Sequence, residues 1–165
     1  MTRVHFTLET AIPAQRVLAA AVDFSEGRPE VWPNISRRFY NVHDVGENCA
    51  DVTEGSDTMG GIWARERYDW SVPGTVRATV QDSNVFQPGG TWEIRIQPIE
   101  SGGTRIDLNR DRRGKGLKGR VIETMLAIAG RKVLSNGLQQ TLEILAREGR
   151  EPAVVVPASG ADGSR

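Results

Sequence analysis

The stretch Gly116–Glu148, GLKGRVIETMLAIAGRKVLSNGLQQTLEILARE, decides the fold. Leu117, Val121, Met125, Ile128, Val133, Leu138, Leu142 and Leu145 recur at helical spacing, and Ile122, Leu126 and Ala129 widen this stripe over the first half. The pattern predicts one long helix, buried on more than one side at its front. Gly130 and Gly137 each cost roughly 1 kcal/mol against alanine inside a helix. Their presence points either to a close approach of a neighbouring element there or to plain tolerance at the surface.

Upstream of this helix the period changes from helical to alternating. Runs at about Arg38–Val45, Ala50–Glu54, Ile62–Ser71, Thr75–Gln81, Thr91–Ile99 and Thr104–Arg112 read as strands. Gly46-Glu47-Asn48, Gly60-Gly61, Pro73-Gly74, Pro88-Gly89-Gly90 and Gly102-Gly103 separate them. Such short breaks imply a meander in which sequence neighbours pair antiparallel. At the N-terminus, Val4, Phe6 and Leu8 alternate with Arg3, His5, Thr7 and Glu9, which adds a seventh strand. Pro13 then opens a short helix carrying Val17, Leu18, Ala21 and Val22, and Pro29 and Pro33 confine a second one to Glu26–Trp32.

Composition narrows the function class. The chain has 165 residues, with 21 basic against 21 acidic side chains, so no net charge draws it to nucleic acid or an anionic membrane. One domain is expected over residues 1–149, followed by a flexible tail over 150–165 rich in Pro, Gly, Ala and Ser. The single cysteine, Cys49, forms no internal disulfide, and no Cys/His cluster with metal spacing is present. The N-terminus alternates where a secretory signal needs an apolar run, and no stretch reaches the roughly 20 apolar residues of a membrane span. A soluble cytoplasmic protein without metal or cofactor is the expectation.

Four stretches together resemble the SRPBCC superfamily of helix-grip proteins. They are Ile12-Pro13-Ala14 after the first strand, Arg28-Pro29-Glu30-Val31-Trp32-Pro33, Ile62–Trp70 with Pro73-Gly74, and Thr91-Trp92-Glu93-Ile94 leading to Gly102–Ile106. That superfamily includes START lipid-transfer domains, the birch-pollen allergen group and the polyketide cyclase/dehydrase-like branch. The resemblance covers about residues 3–148. It implies an α+β fold in which a seven-stranded curved antiparallel sheet, with two short helices, grips the long C-terminal helix over a cavity for hydrophobic ligands. The cyclase-like branch includes aromatase/cyclases for aromatic polyketides and has no invariant catalytic motif to look for.

Turn chemistry sets the strand registers. A three-residue turn at Val72-Pro73-Gly74 with a left-handed glycine places Tyr68 opposite Ala78, Glu66 opposite Val80 and Trp70 opposite Val76. Pairing Ile96 with Ile106 puts Ile94 beside Leu108 and Trp92 beside Arg110. One face therefore carries Tyr68, Trp70, Val80, Trp92, Ile94 and Leu108, with Glu66 and Arg110 as charged intruders. A charge on an apolar face costs several kcal/mol unless it is paired or wetted. These two residues, three strands or roughly 14 Å apart on a flat sheet, read either as cavity groups in acid/base or ligand-binding roles or as strand-end charges paired with neighbours or reaching water. The phenols of Tyr68 and Tyr40 read either as groups offered to a polar guest or as core packing. Val121 and Met125 are expected to close the pocket from the helix.

Other motifs are set aside. Trp63 and His5 fall on the outward phase, whereas His43 shares a phase with Phe39, Asn41 and Val45 and is expected inside, without a nucleophile beside it. Arg110, Arg112, Arg113, Lys115, Lys118 and Arg120 make a basic run read as a solvated turn, with attraction of an anionic group as the alternative. Gly114-Lys115-Gly116-Leu117-Lys118-Gly119 spells GxGxxG, but it closes an antiparallel sheet and opens no βαβ unit, which excludes dinucleotide binding. The leading expectation is binding or transport of a lipid-like or aromatic polyketide-like molecule. A cyclase or dehydratase using Glu66, Arg110 or Tyr68 is the second, and a protein-interaction module using the basic rim or the tail is the third.

Overall fold

In the computed structural model the described residues are 2–149, so the tail expected over 150–165 lies outside them. The elements are β1 (Thr2–Thr10), α1 (Ala14–Ala21), α2 (Arg28–Val31), β2 (Asn41–Val45), β3 (Cys49–Ser56), β4 (Ile62–Asp69), β5 (Thr75–Ser83), β6 (Thr91–Pro98), β7 (Thr104–Arg112) and α3 (Gly116–Glu148). Seven strands form one sheet in the order β1-β7-β6-β5-β4-β3-β2. Every pairing is antiparallel, as the short connections require for the consecutive strands β2 to β7, and β1 closes the order antiparallel to β7.

The registers follow the turns. Gly74 sits at φ 69°, the left-handed region that glycine reaches without a Cβ penalty, and Thr75 N–H donates to the Val72 carbonyl at 3.1 Å. Tyr68 accordingly faces Ala78 and Glu66 faces Val80, across a bulge at Arg65/Glu66. Ile96 pairs with Ile106, Ile94 with Leu108 and Trp92 with Arg110. Alternation then delivers Ala50, Val52, Tyr68, Val76, Ala78, Ile94, Ile96 and Ile106 to one buried cluster with Phe6 and Val4.

Two local expectations are corrected. The strand expected from Arg38 starts at Asn41, because Arg37–Phe39 form a 3-10 turn in which the Ser36 hydroxyl accepts the Arg38 N–H at 3.3 Å. His43 is exposed, not inward. A register shift between Val42 and Asp44 leaves Val42 against the core, and the His43 ring Nε2 lies 2.8 Å from Thr53 Oγ1.

The long helix is rotated relative to its apolar stripe. Leu117, Val121, Met125, Ile128 and Val133 are all exposed, Leu117 and Ile128 at 83%. The buried line is Gly119, Ile122, Gly130, Gly137, Leu138, Thr141, Leu142 and Leu145. Glycines replace large side chains in its first half because other groups lie close against them: a Cβ on Gly119 would collide with the Val85 carbonyl oxygen, and one on Gly130 would stand 3.2 Å from Val4 Cγ2. In the second half, Leu138, Leu142 and Leu145 anchor the helix in the main core, each worth about 2 kcal/mol of burial. The helix packs on β1, α1 and α2, which holds it across the sheet.

Candidate functional site

Between α3 and the curved sheet lies a cavity of about 750 Å³. Its floor comes from alternating residues of the strands: Glu66 and Ala64 on β4, Trp92 and Ile94 on β6, Leu108, Arg110 and Arg112 on β7. Ile122, Met125, Leu126, Leu134 and Leu138 of α3 form the roof, Phe86 closes one side, and exposed Asp57, Thr58 and Met59 stand at the rim.

Of the residues expected to bind a ligand, Glu66, Trp92, Ile94, Leu108, Arg110 and Met125 line this space together. Tyr68 does not. It is fully buried beside the cavity, with its ring 4.8 Å from Phe24 and 5.7 Å from Trp92 between centroids. Trp70 packs on Phe24 at 5.8 Å, and Val80 belongs to a small cluster with Val85, Phe86 and Ile122. Val121 is on the exposed side of α3, and half-buried Tyr40 packs against the main core with its hydroxyl enclosed and unpartnered. Trp63, assigned by phase to the outer face, is among the lining residues.

Sheet curvature does close the gap between β4 and β7, but the partner it gives Glu66 is Arg112 rather than Arg110. The Glu66 and Arg112 side chains form an ion pair with only 4% and 10% of their surfaces exposed. Burial pushes the Glu66 carboxyl above the ordinary glutamate value, while Arg112 pulls it down, Glu54 pushes it up, and Arg110 and a Trp92 hydrogen bond pull it down. Arg110 is 9% exposed, and its Nη1 has no hydrogen-bond partner among the described residues. Its guanidinium lies 5.0 Å from the centroid of the Phe86 ring, and that of Arg112 lies 5.1 Å from the same ring. Burial, then repulsion from Arg112, lowers the Arg110 pKa to about 9.

A second polar cluster borders the cavity where α2 meets β3. Arg28 Nε donates to Glu54 at 2.6 Å, its Nη1 donates to the Asp23 carbonyl at 2.9 Å, and Tyr68 donates to the other Glu54 oxygen at 2.7 Å. Burial alone would depress Arg28, but Glu54 and Tyr68 more than offset it and hold the guanidinium above its ordinary value. This cluster is hydrogen-bonded within itself. Glu54 was legible, since it shares the inward phase of Ala50 and Val52; Arg28, in a four-residue helix, offered no periodic signal.

The basic run is likewise not a solvated turn throughout. Arg110 and Arg112 point inward, Lys118 Nζ donates to the Gly61 carbonyl at 2.9 Å, and Lys115 Nζ donates to the Ser83 carbonyl at 3.3 Å. The two lysines thus tie the start of α3 to the ends of β4 and β5. Among the described residues, no group of three or more His, Cys, Asp or Glu side chains is placed to hold a metal ion. No helix among them is long and apolar enough to cross a membrane.

No family model matches the chain. No curated protein matches its sequence either. Solved structures do match in shape. The Zhui aromatase/cyclase from Streptomyces sp. R1128 is 18% identical, with 91% of this chain and 96% of that one covered at a TM-score of 0.75. TTHA0849 from Thermus thermophilus is 15% identical, over 89% of this chain and 99% of that one, at 0.73. A START superfamily protein from Mycobacterium smegmatis is 17% identical, over 87% and 98%, at 0.69. Likeness at such identities establishes the helix-grip fold that the resemblance to the SRPBCC superfamily implied.

Proposed function

We propose that the protein binds a small hydrophobic molecule, lipid-like or aromatic, non-covalently in the cavity beneath α3, as a carrier or sensor. The observation that carries this reading is the cavity itself: about 750 Å³ of space lies among Trp92, Ile94, Leu108, Ile122, Leu126 and Leu138, within the range of small-molecule sites. A well-packed core would have filled it with side chains. Native mass spectrometry of gently purified protein is expected to show a co-purifying apolar compound. Protein that carries none, and whose tryptophan fluorescence responds to no apolar probe, would remove the reading. The unpaired, half-buried Cys49 suits a reducing compartment such as the cytoplasm.

A second reading rests on Glu66. A buried carboxyl held above its ordinary pKa, with two guanidiniums nearby, has the make-up of an acid/base group beside a carbonyl-polarising cation. The shared fold with an aromatase/cyclase makes a polyketide-type cyclisation or dehydration the reaction to assay. Turnover that survives both Glu66→Gln and Arg110→Met would take these residues out of any chemistry.

A further inference from the structure

We infer that the guest of this cavity is an organic acid, whose carboxylate is held by Arg110 and Arg112 at the Phe86 end while its apolar body lies under α3. This rests on the binding reading above and specifies its ligand class. The charges enclosed around the cavity do not balance: Arg28, Arg110 and Arg112 stand against Glu54 and Glu66, while Asp57 is exposed at the rim. Among the described residues Arg28 is matched by Glu54 and Arg112 by Glu66, which leaves Arg110 as the unmatched cation.

The hydrogen-bond inventory agrees with the charge count. Arg110 Nη1 and Arg112 Nε are both enclosed and, among the described residues, both without a partner. At neutral pH the Arg110 guanidinium keeps its proton, so it does not escape burial by becoming neutral. An enclosed, unpaired cation is costly, and it persists where a partner completes it. Both guanidiniums line the cavity, and a carboxylate there offers two oxygens and several lone pairs, enough to accept from their cavity-facing nitrogens while relieving the repulsion between the two groups. A neutral alcohol or ester supplies oxygens but not the missing negative charge. The flanking Phe86 and Trp92 rings, with Ile94 and Leu108 beyond, leave the rest of the guest an apolar bed.

The test is calorimetric titration of the full chain at neutral pH with decanoate, decan-1-ol and methyl decanoate. Decanoate is expected to bind about tenfold or more tighter than either neutral analogue, the scale of one charge-assisted hydrogen-bonded pair. In Arg110→Met that preference is expected to vanish while decan-1-ol still binds, and the ligand-free Tm is expected to hold or rise because an unpaired buried charge has gone. Should Arg110→Met fail to fold, Arg110→Gln carries the same comparison. Equal binding of decanoate and decan-1-ol by the parent protein overturns the acid assignment and leaves the cavity reading standing. So does a preference that survives in the variant. If Arg110→Met lowers the Tm by several degrees and loses decan-1-ol as well, Arg110 is a structural group and the assignment fails. Binding of none of the three probes fails the cavity reading itself.

Discussion

At the residue scale, the two tyrosines show how burial rewrites ordinary chemistry. Burial raises Tyr40 to about 12, with Arg28 opposing and Glu54 reinforcing; it raises Tyr68 well above the ordinary phenol value, with Glu54 and Glu66 reinforcing. A phenol whose folded pKa is raised binds its proton longer in the folded state than in the unfolded one. Its contribution to stability is therefore full below about pH 10 and is lost as pH rises through the folded values. Absorbance titration of phenolate is expected to show neither tyrosine ionising near pH 10 in the folded protein, and both doing so in denaturant. A folded-state step at pH 10 would mean that water reaches one of them.

At the element scale, α3 separates length from orientation. Its span follows from helical spacing, and its rotation follows from Gly119, Gly130 and Gly137, which a hydropathy pattern scores as blanks. In a solvated helix, Gly→Ala gains roughly 1 kcal/mol. Gly119→Ala is expected instead to cost about 1–3 kcal/mol in urea melts, because its Cβ meets the Val85 carbonyl. Conversely Ile128→Ser, at an 83% exposed position, is expected to change stability by less than about 0.5 kcal/mol. A loss of several kcal/mol at Ile128 would restore the stripe to the core.

At the scale of the whole molecule, the cavity is a space that sheet and helix leave between them because each is anchored elsewhere, α3 on β1, α1 and α2 and the sheet on its own ladders. Filling it should therefore weaken binding more than folding. Leu108→Trp, placed on the floor beside Ile94, is expected to weaken apolar-probe affinity about tenfold or more while costing less than about 2 kcal/mol of stability. A variant that loses more than about 2 kcal/mol of stability yet retains affinity would show that Leu108 packs core and borders no binding space.

Sequence alone determined the order of strands and α-helices, their approximate extents and the facing pairs Glu66/Val80, Ile94/Leu108 and Trp92/Arg110, because turns and two-residue alternation are local properties of the backbone. It also marked Glu66 and Arg110 as charges on an apolar face. Tertiary structure alone decided that Glu66 pairs with Arg112, that Arg110 keeps an unpartnered nitrogen, and that α3 turns its glycines rather than Val121 to the interior. Each of those outcomes depends on how far a seven-stranded sheet coils and how closely a helix can approach it, and both are sums over contacts distant in the chain.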